Sequence, residues 1–313
     1  MNRRLFLVLL LAIVLYTAMV LLSDIRRVGD LALSFDWSLL PLILVLPLTN
    51  YFLRFLKWHY FLRRLGIRLP FRRSLHVFLA GFSLTVSPGK LGELVKCVLL
   101  REREGLPVSV TSSAVVAERA TDLMSMILIA LGAALLSSAG GVTLIVAAGA
   151  VFVALFMAAL LWGRAFGLLT SLLCRLPFLD RRRESLCSFR QSALRLLDAR
   201  SLLLMVPLGI ISWGVEAAVL SVAAASLGFR LPLVLSLLAH SAGTIAGSLS
   251  MIPGGLGLTE VTIDVLIEPA LGSAPAAALT TIGMRFATLW LAVVTGLVAL
   301  GLWKAACGPR DRP

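Results

Sequence analysis

Lys90, Glu93, Lys96, Glu118, Arg119 and Asp122 fall within one stretch, GFSLTVSPGKLGELVKCVLLREREGLPVSVTSSAVVAERATD, that is set among long apolar runs. An ionisable side chain at membrane depth costs about 2.5–3.5 kcal/mol or more. Such groups are therefore paired, turned toward a protein interior or a water-filled cavity, and functional by default. Pro88-Gly89 interrupts the helix that precedes it, and Gly89 and Gly92 permit close approach of backbone. A later stretch, GSLSMIPGGLGLTEVTIDVLIEPALGSAPAAALTTIGMR, follows the same plan. Its Pro253-Gly254, Gly257, Glu260 and Arg285 come in the same order as Pro88-Gly89, Gly92, Glu93 and Arg119. The chain thus reads as two copies of one element and a frame that holds them.

The chemistry open to these residues is anion recognition. A helix N-terminus presents unpaired N–H groups and a positive dipole end. Gly92-Glu93 and Thr259-Glu260 are each expected to begin a half-helix just after a break, where Gly89, Gly254 and Gly255 let the backbone come close to a ligand. Lys90 adds a cation at the first break, and phosphate is the natural anion for a cavity that opens to lipid. Glu93 with Arg119 and Glu260 with Arg285 recur at nearly equal separations, so each acid is expected to pair with an arginine on the following span. Glu118 and Asp122 are four residues apart on one helical face, and Arg119 precedes Asp122 by three. Glu260, Asp264 and Glu268 form an acidic stripe. These pairs either lock hairpin to span or line a polar path in which Arg119 and Arg285 meet a phosphate through a planar fork of donors. The acids, Glu93, Glu118, Asp122, Glu260 and Asp264, are expected to hold these cations in place or to carry coupling protons. His240 and Glu216 sit within apolar runs, where a lone histidine is more often simply hydrogen-bonded than a proton relay. Arg54 and Trp58 read as interface anchors.

The frame is a membrane frame. The chain is 313 residues long, 59% hydrophobic and only 14% charged, against about 25% charged in ordinary soluble domains. Its net charge of +13 comes mostly from arginines between apolar runs, as the positive-inside rule describes for cytoplasmic loops. With no soluble basic module, nucleic acid is not an expected partner. The four cysteines lack CxxC spacing or a histidine at ligand distance, so neither a metal nor any other cofactor is expected. No GxSxG, P-loop, HExxH or dinucleotide fingerprint occurs, and the chain is not expected to be an enzyme.

Full spans are expected over residues 5–22, 39–55, 111–138, 142–162, 201–227 and 276–303. The runs 74–87 and 92–100 each fall short of the roughly 20 residues that a span needs. They read as a broken, re-entrant hairpin with Pro88 at its break. Residues 231–251 and 259–267, parted by Pro253, form a second hairpin of opposite orientation. The run 231–251 is itself long enough to span, which would raise the count to eight. The expected fold is an all-α polytopic membrane protein of about six spans and two re-entrant hairpins in an inverted repeat, the pattern of secondary transporters. One membrane domain covers 1–313. Its first half, 1–162, holds hairpin 74–100; a basic cytoplasmic loop follows at 163–200; the second half, 201–313, holds hairpin 231–268. Both termini are expected to be cytoplasmic.

At GFSLTVSPGKLGELVKCVLL, AVVAERATD, IPGGLGLTE and the late Arg285, with R-x-x-x-W at Arg54–Trp58, the chain resembles the lysylphosphatidylglycerol synthase transmembrane family of flippase-like proteins. The resemblance covers nearly the whole chain. In two-domain members it implies translocation of a modified phospholipid, while a separate domain attaches the amino acid; that domain is absent from this sequence. Stand-alone members are associated with polyprenyl-linked sugars or hopanoid pathways. Lys90 departs from the arginine common in such motifs and forgoes a bidentate grip. The expected function is therefore translocation of an anionic phospholipid or polyprenyl-phosphate-linked intermediate across a bacterial inner membrane. The expected partners are membrane lipid and a possible lipid-modifying enzyme. Two other classes stay open: a membrane-embedded transferase on lipid-linked substrates, which short loops without a donor fingerprint disfavour, and a non-transporting scaffold with a dry, fully paired interior.

Overall fold

A computed structural model describes residues 25–137, 142–162 and 183–306. The expected span 5–22, residues 163–182 of the basic loop and the terminal Arg310 and Arg312 lie outside the described residues, as do the side chains of Pro88, Gly89 and Lys90. Among the described residues every regular element is helical: α1 (Ile25–Leu33), α2 (Leu40–Arg64), α3 (Phe71–Ala80), α4 (Val95–Glu104), α5 (Val108–Ser137), α6 (Thr143–Leu161), α7 (Arg183–Leu196), α8 (Ala199–Ser226), α9 (Leu233–Leu249), α10 (Leu258–Leu271), α11 (Ala274–Arg285) and α12 (Leu291–Ala306).

Among the described residues, four helical stretches are long and apolar enough to cross a membrane: Trp37–Arg64 of 28 residues, Val108–Ser137 of 30, Ala199–Ser226 of 28 and Ala274–Ala305 of 32. They correspond to four of the six expected spans, 39–55, 111–138, 201–227 and 276–303. The fourth is α11 and α12 joined through a π-helical turn, Phe286–Trp290. Thr143–Ala158 and Leu233–Leu249 are shorter apolar helices. The run 231–251, whose length allowed a crossing, thus resolves into a helix of 17 residues, about 26 Å at the usual rise.

The second expected span does not stop near residue 55. Nothing in RFLKWHYFLRR breaks a helix, so α2 continues to Arg64, about 38 Å from its start. Arg54 and Trp58, expected as interface anchors, therefore turn inward with Lys57 and are buried.

The two breaks are built differently. Pro88 opens a 3₁₀ turn, Pro88–Leu94, where its missing N–H is not needed. The following helix begins only at Val95, so Glu93 lies in the turn rather than in a half-helix. At the second break Gly254, Gly255 and Gly257 have φ of 64°, 67° and 93°, a region that glycine enters without steric cost. The tips of the two breaks meet. Val86, Leu256 and Val293 form a buried cluster, and a Cβ on Gly254 would lie 2.8 Å from Val86 Cγ1.

α8 is started by Asp198, whose Oδ1 accepts from the Ser201 N–H at 2.9 Å and whose other oxygen accepts from Arg64. The Ser201 hydrogen bonds hold this carboxyl below the usual carboxylate range. A depressed folded value means that its contribution is complete above the unfolded value of about 3.9 and is lost as pH falls through the folded one. Asp198→Ala should cost about 1 kcal/mol. Thermal unfolding in detergent should show that deficit at pH 7 and a smaller one near pH 3.

Candidate functional site

Seven charged side chains from α2, the 88–94 turn with α4, and α5 converge in the interior. α2 supplies Arg54 and Lys57, which stand three residues apart and so share a face. Glu93 and Lys96, with the same spacing, come from the turn and the first turn of α4. α5 supplies Glu118, Arg119 and Asp122. Lys57 Nζ lies 2.6 Å from Asp122 Oδ1, and Lys96 Nζ lies 2.9 Å from Glu118 Oε2 and 3.4 Å from Glu93 Oε2. Arg119 Nη2 reaches Glu118 at 2.8 Å, Asp122 at 3.0 Å and Glu93 at 3.5 Å. Arg54 Nη2 is 3.6 Å from Glu118 and 3.7 Å from Glu93, and its Nε is 4.0 Å from Asp122.

Aromatic rings complete the first cluster. The Lys96 ammonium sits 4.6 Å from the Trp58 ring centre and 5.1 Å from that of Phe78. The Arg54 guanidinium is 5.1 Å from the rings of both Phe82 and Trp213. Such contacts compensate a desolvated cation. Glycine makes the room: a Cβ on Gly81 would stand 2.6 Å from Lys96 Cγ.

The second cluster is simpler. Arg285 Nε donates to Glu260 Oε1 at 2.6 Å, and its Nη2 donates to the Gly254 carbonyl at 2.8 Å. Glu260 Oε2 accepts from the Gly257 N–H at 2.7 Å, reaching back over the start of α10. One N–H at each break is engaged from within, that of Gly257 by Glu260 and that of Gly92 by the Ser87 hydroxyl. A carboxylate already occupies the positive end of α10.

Both clusters border one cavity of about 360 Å³. Arg54, Arg119 and Arg285 reach it from α2, α5 and α11, together with Asp122, Glu216 and His240. Leu91, Leu94, Met251, Ile252, Gly254 and Gly255 bring both breaks to its wall, and the rest is largely apolar, including Phe82, Leu123, Phe152, Phe156 and Leu289. Lys57, Lys96, Glu93, Glu118 and Glu260 do not line it; each is at most 1% exposed and stands behind a cavity residue. The cluster is therefore layered, with arginines in front and buried lysines and carboxylates as their support.

Of the residues singled out by spacing, the structure joins Glu93, Glu118, Arg119 and Asp122 in one cluster and Glu260 with Arg285 in the other. Gly254, Gly255 and Thr259 line the cavity; Gly92 and Gly257 form its supporting breaks. Asp264 does not belong to it. Its Oδ1 is 3.4 Å from Thr281 Oγ1, while Glu268 is exposed, so the acidic stripe runs away from the cavity after Glu260. Arg54, read as an interface anchor, is a cavity residue, because α2 is longer than its apolar run. Lys57 and Lys96 were also missed as supports. The available signal was spacing: Lys57 follows Arg54 by three residues and Lys96 follows Glu93 by three.

The sequence model of the family described as Lysylphosphatidylglycerol synthase TM region matches residues 7–296. No curated protein matches the chain.

Proposed function

Because this chain belongs to the lysylphosphatidylglycerol synthase TM region family, a multi-pass membrane family tied to lipid metabolism, we propose that it is a lipid translocase rather than an enzyme. It moves an anionic phospholipid or a polyprenyl-phosphate-linked intermediate between the leaflets of a bacterial inner membrane. The observation that carries this reading is the cavity, where three arginines from three helices face one apolar-walled space bordered by both helix breaks. Its volume suits a headgroup rather than a whole lipid, near the lower end of ligand pockets at about 300–1,000 Å³. Guanidinium groups offer the fixed charge and paired donors that a phosphate takes. The headgroup enters the cavity while the acyl or prenyl tails remain in the bilayer. The two breaks, as two re-entrant hairpins with both termini cytoplasmic, rock against each other to expose the cavity alternately. Membrane lipid is the partner, with a lipid-modifying enzyme as the source of its substrate.

Proteoliposomes holding the purified protein test this with labelled phosphatidylglycerol, a labelled polyprenyl phosphate and labelled phosphatidylcholine. Movement of either anionic probe, at least about tenfold faster than the zwitterionic one, is the expected result, since charge-assisted contacts to phosphate favour the anion. If folded protein moves none of them, the close pairing of the buried charges points instead to a scaffold.

A further inference from the structure

Glu216 and His240 stand outside both charge clusters yet on the same cavity. α8 carries Glu216 and α9 carries His240, and helix packing sets His240 Nε2 3.9 Å from Glu216 Oε1. Both are nearly buried, with side-chain exposures of 9% and 4% respectively, and both face the cavity. The imidazole ring is 6.1 Å from the ring of Trp213, which also contacts Arg54. Four and seven residues beyond His240, Thr244 and Gly247 line the same wall, so this face of α9 is a cavity face throughout.

The charge balance gives the pair its meaning. Among the described residues, five cations lie on or directly behind the cavity wall: Arg54, Lys57, Lys96, Arg119 and Arg285. Five carboxylates match them: Glu93, Glu118, Asp122, Glu216 and Glu260. A phosphodiester monoanion entering this set leaves one negative charge uncompensated where such a charge is costly. The imidazole of His240 is the cavity group whose ordinary value lies near neutral pH.

We propose that Glu216 and His240 form a proton site through which one proton is taken up with each phosphate-bearing headgroup. This rests on the lipid-translocation reading. The neutral imidazole accepts the proton at its unprotonated nitrogen, and Glu216 receives the resulting positive charge. Asp122 on α5 also favours it. Arg54 on α2, Arg119 on α5 and Arg285 on α11 oppose it, with Tyr51 on α2 and Glu260 on α10 nearby; α6 carries no titratable group. A phosphate that engages the arginines removes their opposition, so headgroup and proton each strengthen the binding of the other by the same factor. When the headgroup leaves on the far side, the proton leaves with it and no covalent bond has changed. A loaded cavity then bears the same net charge as an empty one, and its turnover is insensitive to the membrane potential, which acts at about 2.3 kcal/mol per charge per 100 mV.

Two measurements test this separately from translocation. Binding of dioctanoyl phosphatidylglycerol to detergent-solubilised protein is followed by calorimetry in two buffers of different ionisation enthalpy. Wild type should take up about one proton per lipid near pH 7.5, and His240→Gln and Glu216→Gln should take up close to none. Binding without proton uptake by wild type, or no binding at all, overturns the proposal. In proteoliposomes with the potential clamped, a pH gradient should change wild-type movement of labelled phosphatidylglycerol about tenfold. The ratio of rates with and without the gradient should fall to one in His240→Gln. A wild-type rate indifferent to the gradient, or a variant as responsive as wild type, overturns the coupling. A wild type that binds with proton uptake but moves no lipid leaves the proton site standing and sinks the translocation reading.

Discussion

Arg119→Ala should slow headgroup movement on the order of 100-fold, because a charge-assisted hydrogen bond contributes about 1.5–3 kcal/mol. The protein should still insert and unfold near the wild-type temperature. Arg119 is the most accessible cation of the first cluster, at 23% exposure, and it faces the cavity. Its carboxylate partners do not depend on it alone. Lys96 still holds Glu118 and Glu93, and Lys57 still holds Asp122. Arg119→Lys should recover part of the rate, since charge returns without the planar fork. Rates in proteoliposomes, with a thermal melt of each variant, decide it. A variant that transports normally excludes Arg119 as a headgroup contact; one that fails to accumulate in the membrane assigns it to the frame. Arg285→Ala is a less clean probe, because it strands Glu260, which is fully buried. It is best read beside Arg285→Ala combined with Glu260→Gln.

Lys96→Met should have the opposite signature, with loss of the folded protein rather than of transport alone. Lys96 is 1% exposed, lies outside the cavity lining, and bonds two carboxylates that are themselves at most 1% exposed. Methionine fills similar space but leaves Glu93 and Glu118 to the two arginines, which are longer-range partners for most of their oxygens. Removing one member of a buried pair costs about 3–5 kcal/mol, a large part of a folding free energy of about 5–15 kcal/mol. The check is the melting temperature and the yield of monodisperse protein in mild detergent. Combining Lys96→Met with Glu118→Gln should restore a good part of the loss, since the cost lies in the stranded charge. If Lys96→Met is as stable as wild type but inactive, the layered picture of front arginines and rear supports is wrong.

These two variants separate roles that look alike in the sequence. Lys96 and Arg119 are both cations near carboxylates in one stretch, and spacing assigned only Arg119 a role. The distinction comes from α4 and α5 meeting α2, which turns Lys96 toward Trp58 and Phe78 and leaves Arg119 at the cavity edge. Arg54 was misplaced for a related reason. Hydropathy falls after Phe55 because basic residues enter the sequence, but a helix does not end where hydropathy falls. With no breaker before Leu65, α2 carries Arg54 and Lys57 into the interior. Glu216 and His240 are 24 positions apart on different helices, and no periodicity relates them.

The order of residues alone set what local rules govern. Apolar runs of crossing length made the described residues all-helical and the chain a membrane protein, Pro-Gly placed both breaks, and repeated motifs paired Glu260 with Arg285 across 25 positions. Each follows from a residue's own propensity or from one short, repeated spacing. Helix packing settles which charges face the cavity, which stand behind it, and that Glu260 and Ser87 each accept from one N–H at the breaks. The physical reason is that burial and charge compensation belong to sets of side chains from several helices. Lys57 meets Asp122 across 65 positions only because α2 and α5 pack together, and in a low-dielectric interior such nonlocal pairing settles which charges are supports and which remain for a ligand.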